Sequence, residues 1–198
     1  MLKYLLFFAL GCGACGPAEL EVSEDSAAFV VEEEKVPEQF GIINTADCDQ
    51  TEIGSNVCNM IFYDHNKEVW QLYEQKGKVV ILDFSTVWCG PCQAAGHYVQ
   101  PIQDDYDGKI EFVTVLVDGA SGEAPPTEDE INTWVSSHGV TTAPVLYADR
   151  SVLDPTGETG YLVGGFPTYV FLDKDLKIHV GAVGFNEQYV RSVIDSLL

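Results

Sequence analysis

Basic residues are scarce in this sequence. Its 198 residues contain 10 Lys and Arg against 31 Asp and Glu, so the formal net charge is −21. Nucleic acids and anionic lipids are negatively charged and are bound through basic surfaces. The charge balance therefore argues against both as direct electrostatic partners. Its ordinary explanation is solubility, and the alternative is selection for partners with basic surfaces.

The sequence also lacks a long apolar run and the usual patterns of metal ligands. It has no span of about 20 apolar residues, so no transmembrane helix is expected. No His lies at zinc-finger spacing from Cys48 and Cys58, which argues against a zinc site. Gln93, not His, follows Cys92, so this is not a c-type haem attachment sequence. We predict no metal and no other cofactor.

Two closely spaced cysteines follow the apolar run Val79–Phe84. The segment is Trp88-Cys89-Gly90-Pro91-Cys92. The apolar run predicts a buried strand, and the Gly-Pro pair predicts a helix start, where proline loses no hydrogen bond. A helix N-terminus favours a thiolate, and this spacing permits a small disulfide. The pattern therefore predicts a dithiol that cycles between reduced and oxidised forms.

A reaction scheme follows from these positions. We predict that Cys89, the more N-terminal and more exposed thiol, attacks a disulfide of a partner protein, and that Cys92 resolves the mixed disulfide. Asp83 lies in the predicted buried strand, where desolvation raises a carboxyl pKa. It is therefore the predicted proton relay for Cys92. The alternative is an acid that is solvated or paired only for structural reasons.

These residues resemble the thioredoxin-like proteins, and among them the extracytoplasmic thiol-disulfide oxidoreductases of the TlpA/ResA type. The matching residues are Asp83, Phe84, Trp88, Cys89-Gly90-Pro91-Cys92 and, downstream, Gly165-Phe166-Pro167-Thr168. The resemblance covers roughly residues 50–198. It implies an α/β, thioredoxin-like fold in which a central mixed sheet is flanked by helices. It also implies a TlpA-type insertion between residues 118 and 167 and an N-terminal β-hairpin. The two short apolar runs Met60–Tyr63 and Glu68–Leu72, which flank the polar residues 64–67, predict the same hairpin.

The resemblance also implies a substrate-binding set: Trp88, Gly90, Pro91, Phe166 and Pro167. In the family the matching proline is cis, faces the dithiol and exposes the preceding backbone to an extended partner chain. From sequence alone, the alternative is a trans proline that opens an edge strand.

The resemblance further implies a monomeric reductase of exported protein disulfides, recharged by a membrane electron donor, since Gly-Pro matches the reducing members. The alternatives are a dithiol oxidase or isomerase, and a copper- or haem-delivery protein that uses the two thiols as soft ligands.

The N-terminal region resembles an export signal. Residues 1–12 combine one Lys, a short apolar run and Cys12, as in a bacterial lipoprotein signal whose cysteine is lipidated. Cys15 is a second candidate, and a plain signal peptide is the alternative. Residues 13–45 are acidic and predict a disordered tether. We therefore expect an exported, periplasmic or cell-surface protein held to the membrane by a lipid.

Residues 46–198 form the predicted domain. Cys48 and Cys58 are expected to form a structural disulfide if the protein is exported. A second redox pair and a metal site are the alternatives. Strand and helix patterns alternate, which predicts a sheet with helices on both faces. Thr127 and Glu130 predict a capping box before a helix over 128–138. Pro101 is expected to end or kink the helix that follows Cys92.

Overall fold

The computed structural model of the protein describes residues 40–45 and 47–198. The strands are β1 (Gly41–Ile43), β2 (Asn59–Tyr63), β3 (Val69–Gln71), β4 (Val79–Thr86), β5 (Ile110–Asp118), β6 (Val145–Tyr147), β7 (Thr168–Leu172) and β8 (Ile178–Val183). The α-helices are α1 (Gly90–Gly96), α2 (Val99–Asp105), α3 (Glu128–His138) and α4 (Glu187–Leu197). No helix within the described ranges is long and apolar enough to cross a membrane.

A five-stranded mixed sheet forms the centre of the domain, in the order β6-β5-β4-β7-β8. Strands β4, β5 and β6 are parallel, while β7 and β8 are antiparallel to their neighbours. Every residue of β4 and β5 is buried. Near-continuous apolar runs are typical of strands covered on both faces. The predicted thioredoxin-like fold with a central mixed sheet is confirmed.

The α-helices cover one face of this sheet. Buried residues of α1, α2, α3 and α4 share a cluster with Val79 and Ile81 of β4. The opposite face, with Val80, Leu82 and Phe84, is covered by β2, β3 and the segment around residues 152–161. Helices on both faces were expected. Helices α1, α2 and α3 share one face because β4, β5 and β6 follow one another across the sheet, and right-handed crossovers then fall on the same side. Helix α4 follows β8 and packs on that same face.

A small antiparallel sheet packs on the second face, in the order β1-β2-β3. Strands β2 and β3 form the predicted hairpin around residues 64–67. Strand β1 pairs with β2 through Gly41–Ile43, so these residues belong to the domain and not to the tether in which the sequence places them. An isolated three-residue apolar stretch carries little signal, and its pairing partner supplies the rest. The predicted signal, Cys12, Cys15 and the remainder of the tether before residue 40 lie outside the described residues.

Cys48 and Cys58 are joined by a disulfide that closes the loop between β1 and β2. Cys58 is buried and Cys48 is half-buried. The bond links the segment after β1 to the start of β2.

The helix after Cys92 is interrupted earlier than its proline suggests. Helix α1 ends at Gly96, and α2 begins at Val99. Pro101 therefore lies in the first turn of α2, where its missing N–H removes no helical hydrogen bond. By contrast, α3 begins with both hydrogen bonds of the predicted capping box and ends at Gly139 in the left-handed conformation.

Candidate active site

Cys89 caps the N-terminus of α1. Strand β4 ends at Thr86, and the chain turns through Val87 and Trp88 before the helix begins at Gly90. The backbone N–H of Cys92 donates a hydrogen bond to Sγ of Cys89 at 3.1 Å. Such a bond stabilises a thiolate on Cys89 when the dithiol is reduced.

The two sulfurs are bonded to each other and differ in exposure. Cys89 retains 4% of its accessible surface, while Cys92 retains none. Gln93 fastens the turn, because its side-chain amide donates to the carbonyl of Val87 at 2.8 Å. The arrangement leaves Cys89 as the one sulfur of the pair that a partner can approach.

Trp88 is held beside the cysteines by a side-chain network. Its ring is half exposed, and its indole N–H donates to Oδ2 of Asp118 at 3.2 Å. Asp118 is 1% exposed and accepts two hydrogen bonds from the guanidinium of Arg150, at 2.7 and 2.5 Å. Planar guanidinium-to-carboxylate pairing of this kind fixes orientation as well as charge. Arg150 therefore fixes the carboxylate that orients Trp88.

Phe166 and Pro167 lie next to Trp88. The Phe166–Pro167 peptide bond is cis, and the Phe166 ring meets the Trp88 ring edge-on at a centroid distance of 5.9 Å. Within residues 40–45 and 47–198, neither the N–H nor the carbonyl of Phe166 bonds to another backbone group. We call the surface formed by Trp88, Cys89, Phe166 and Pro167 the partner groove. It presents free backbone groups beside the more accessible sulfur.

Asp83 lies on the helix-covered face of β4. Alternation along the strand puts it on the same side as Ile81, whose cluster contains both active-site cysteines. Asp83 is completely buried, and the hydroxyl of Ser85 donates to its Oδ1 at 2.8 Å. Burial raises the pKa of the Asp83 carboxyl from 3.8 to about 7, and the Ser85 bond opposes this only in part. The carboxyl can therefore exchange a proton near neutral pH.

His138 packs against α1 from α3. Its ring nitrogens lie 2.7 Å from the carbonyl oxygen of Trp134 and 3.0 Å from that of Gln93, which follows Cys92. A Cβ atom on Gly96 would come within 2.6 Å of the ring. His138 thus links the active-site helix to α3 across a contact that only glycine permits.

Gly96→Ala tests that contact. Because two polar contacts hold the His138 ring, it cannot shift freely, and we expect a loss of about 1–3 kcal/mol in the free energy of unfolding. Chemical denaturation measures this. Gly90→Ala is the matched control, since a Cβ at that position in the same helix meets nothing within 4 Å. If the two variants have equal free energies of unfolding, the His138 ring moves aside without cost and the prediction is wrong.

Asp118, Arg150 and His138 were not predicted as part of the site. Asp118 is the acid that ends β5, and Arg150 is one of only 10 bases, but neither pattern indicates Trp88 as the neighbour. Among the residues that the structure describes, no three His, Cys, Asp or Glu side chains form a group that could hold a metal ion. Cys48 and Cys58 are bonded to each other, which agrees with the predicted disulfide.

Comparison with known proteins agrees with this geometry. A family model described as a thioredoxin-like domain matches residues 67–193. The chain belongs to the thioredoxin-like family. Thiol-disulfide oxidoreductase ResA of Bacillus thuringiensis (strain Al Hakam) is 25% identical over 140 residues, which are 70% of this chain and 74% of that protein. ResA of Bacillus subtilis (strain 168) is 30% identical over 126 residues, which are 63% of this chain and 64% of that protein.

Solved structures show the same fold. The pneumococcal exposed lipoprotein thioredoxin Etrx1 of Streptococcus pneumoniae is 26% identical, with a TM-score of 0.57 over 70% of this chain and 99% of that one. A DsbF homologue from Corynebacterium diphtheriae has a TM-score of 0.61 at 19% identity, over 80% of this chain and all of that one. The resemblance to the TlpA/ResA type is confirmed, and this thioredoxin-like protein is a thiol-disulfide oxidoreductase.

Proposed function

We propose that this protein reduces disulfides of exported proteins outside the cytoplasm, with Cys89 as the nucleophile. The observation that carries the proposal is the N–H of Cys92 directed at Sγ of Cys89, next to a backbone that is free to pair with a partner chain. A thiolate stabilised in this way attacks at neutral pH, and the partner groove can align an extended segment of the substrate for that attack.

The reaction is a two-step exchange. The Cys89 thiolate attacks one sulfur of the partner disulfide, which releases the other as a thiolate and leaves a mixed disulfide. Cys92 then loses its proton and attacks Cys89, which releases the second partner sulfur. The substrate gains two electrons and two protons, one proton coming from Cys92 through its acceptor and the other from the solvent that took up the Cys89 proton. The Cys89–Cys92 pair becomes the disulfide. A membrane electron donor is proposed to reduce that disulfide again.

Asp83 is the proposed acceptor of the Cys92 proton. A carboxyl with a pKa of about 7 is half ionised at neutral pH, so it can take up and return a proton without a large energetic penalty. Its place on the cysteine side of β4 supports this role. Cys92 is fully buried and has no direct route to solvent, which makes an internal base necessary.

The reducing direction and the membrane anchor are also proposals. Gly-Pro between the cysteines matches the reducing members of the TlpA/ResA type. Etrx1 is described as an exposed lipoprotein, which supports lipidation at Cys12 and a place outside the cytoplasm for this chain. Trp88, Gly90, Pro91, Phe166 and Pro167 are the proposed substrate-binding residues.

The reduction potential of the Cys89–Cys92 couple tests the direction. We expect about −250 mV or lower, near the value of about −270 mV for thioredoxin. Equilibration of the purified protein with glutathione or dithiothreitol buffers, followed by thiol alkylation and mass spectrometry, gives the value. A potential near about −120 mV would instead indicate an oxidase. The absence of a reversible two-electron couple would overturn both.

A further inference from the structure

Three polar side chains form a row across the centre of the sheet. Asp83 of β4 is in register with Thr114 of β5 on one side and with Tyr169 of β7 on the other. Residues in direct register on neighbouring strands project from the same face of a sheet. Tyr169 shares the buried cluster of Cys89 and Cys92, so the row lies on the active-site side.

Each member of the row has a buried polar atom with no hydrogen-bond partner among residues 40–45 and 47–198. These atoms are Oδ2 of Asp83, the hydroxyl of Tyr169 and Oγ1 of Thr114. Buried polar groups are nearly always hydrogen-bonded, because an unpaired one loses its interaction with water. The three residues are in register, but none of these atoms is hydrogen-bonded to another, so a shared water is what can connect them.

We propose that the Tyr169 hydroxyl is a positioning group for Asp83. Through one bridging water it donates a hydrogen bond towards Oδ2 and thereby stabilises the ionised carboxylate. The inference rests on the proposed function in that Asp83 is taken as the relay for Cys92. It adds a second residue that sets the pH at which the relay operates.

The groups that face Asp83 favour this assignment. Ser85 of β4 donates to Asp83, and Thr114 of β5 and Tyr169 of β7 are in register with it. Cys89, which caps α1, and Cys92 of α1 belong to the buried cluster on the same face of the sheet. No Lys, Arg or His of the described residues acts on the Asp83 carboxyl. With no cation nearby, hydroxyl groups are the available donors to the ionised form, and Ser85 already occupies Oδ1.

A tyrosine suits this role better than a second acid or a histidine. Burial and the neighbouring Asp83 raise the pKa of the Tyr169 phenol above its usual value, so it stays protonated throughout the working pH range. It can therefore donate a hydrogen bond but does not compete with Asp83 for the relayed proton. The ring also fills the core beside Phe112, at a centroid distance of 6.2 Å.

Tyr169→Phe tests the inference, because it removes the hydroxyl and keeps the ring. We expect the pKa of Asp83 to rise by about one unit, the effect of losing one hydrogen bond to a charged group. Carbon-13 NMR of the Asp83 carboxyl, titrated in the oxidised full-length protein, measures it without interference from the thiols. The pH dependence of the rate of disulfide reduction should shift to higher pH by the same amount.

Tyr161→Phe is the matched control. Tyr161 is equally buried, and its hydroxyl also lacks a partner, but its ring packs on Phe84, on the opposite face of the sheet. It should leave the pKa of Asp83 unchanged. The inference would be overturned if the pKa of Asp83 were unchanged or lowered in the Tyr169→Phe protein. It would also be overturned if Tyr161→Phe raised the pKa of Asp83 by the same amount.

Two measurements distinguish a failure of the Tyr169 inference from a failure of the proposed role of Asp83. If Asp83→Asn leaves the rate of disulfide reduction unchanged, then Asp83 is not the relay, although Tyr169 still sets its pKa when the NMR shift is present. If Asp83→Asn slows the reaction and Tyr169→Phe produces no shift, then the relay stands and the role of Tyr169 is wrong.

Discussion

Cys92→Ser is expected to stop the reaction at the mixed disulfide, with the substrate bound through Cys89. Cys89 caps α1 next to the partner groove, whereas Cys92 is completely buried and cannot reach a protein substrate. Without Cys92 the active-site pair has no second thiol to resolve the adduct. Cys89→Ser removes the nucleophile itself and should lower disulfide reduction by about a thousandfold or more.

Mass spectrometry of adducts with a disulfide-containing protein substrate measures both outcomes. The control is a Cys48→Ser, Cys58→Ser double variant, which should still turn over because that disulfide lies in the loop between β1 and β2. Trapping through Cys92 in the Cys89→Ser protein, with none in Cys92→Ser, would reverse the assigned roles.

Local sequence patterns predicted the parts of this structure that depend on near neighbours. The capping box of Thr127 and Glu130 is closed within three residues of the chain, so propensity alone determines where α3 begins. The same is true of the hairpin turn between β2 and β3. The position of Asp83 in a buried strand followed from the apolar residues on both sides of it.

Pairings between distant segments could not be obtained in this way. Trp88 and Asp118 are separated by 30 residues, and Asp118 and Arg150 by 32. Their contact depends on the register of β4 with β5 and on the path of the chain after β6. Tyr169 faces Asp83 only because β7 pairs with β4 in one register, and a shift of one residue would put the phenol on the other face.

The break between α1 and α2 shows a competition between local and tertiary effects. Pro101 is the obvious helix breaker in the sequence, yet the helix ends four to five residues earlier, and Pro101 occupies the first turn of α2. Gly96 at the break is packed against His138 of α3. That close packing, which is invisible in the sequence, coincides with the point where the helix ends.

Asp83→Asn is expected to stabilise the oxidised protein at alkaline pH. In the folded protein the pKa of Asp83 is about 7, while the unfolded chain has the ordinary value of 3.8. Between these values the unfolded state binds fewer protons than the folded state, so stability falls as pH rises. Above pH 7 the full penalty is present, about 4 kcal/mol for a shift of about three units. Asparagine does not ionise and avoids it.

Denaturant unfolding of the oxidised protein between pH 4 and pH 8.5 measures how much Asp83→Asn changes the free energy of unfolding. The gain should be small at pH 4 and largest above pH 7. Asp118→Asn is the matched control. That carboxylate is equally buried but is paired with Arg150 and Trp88, so its replacement should destabilise the protein. If Asp83→Asn destabilised the protein at pH 8.5 in the same way, the Asp83 carboxylate would be compensated by its neighbours.

The same variant should slow the release of the mixed disulfide at neutral pH, because the Cys92 proton loses its acceptor. A gain in stability together with a loss of rate is the expected result when a buried residue that acts in the reaction, but destabilises the fold, is replaced. Asp118 shows that this fold can hold a buried carboxylate with a cation beside it. Asp83 has no such partner in the part of the chain that the structure describes. This lack of compensation brings its pKa into the range where a proton can be passed to and from a thiol.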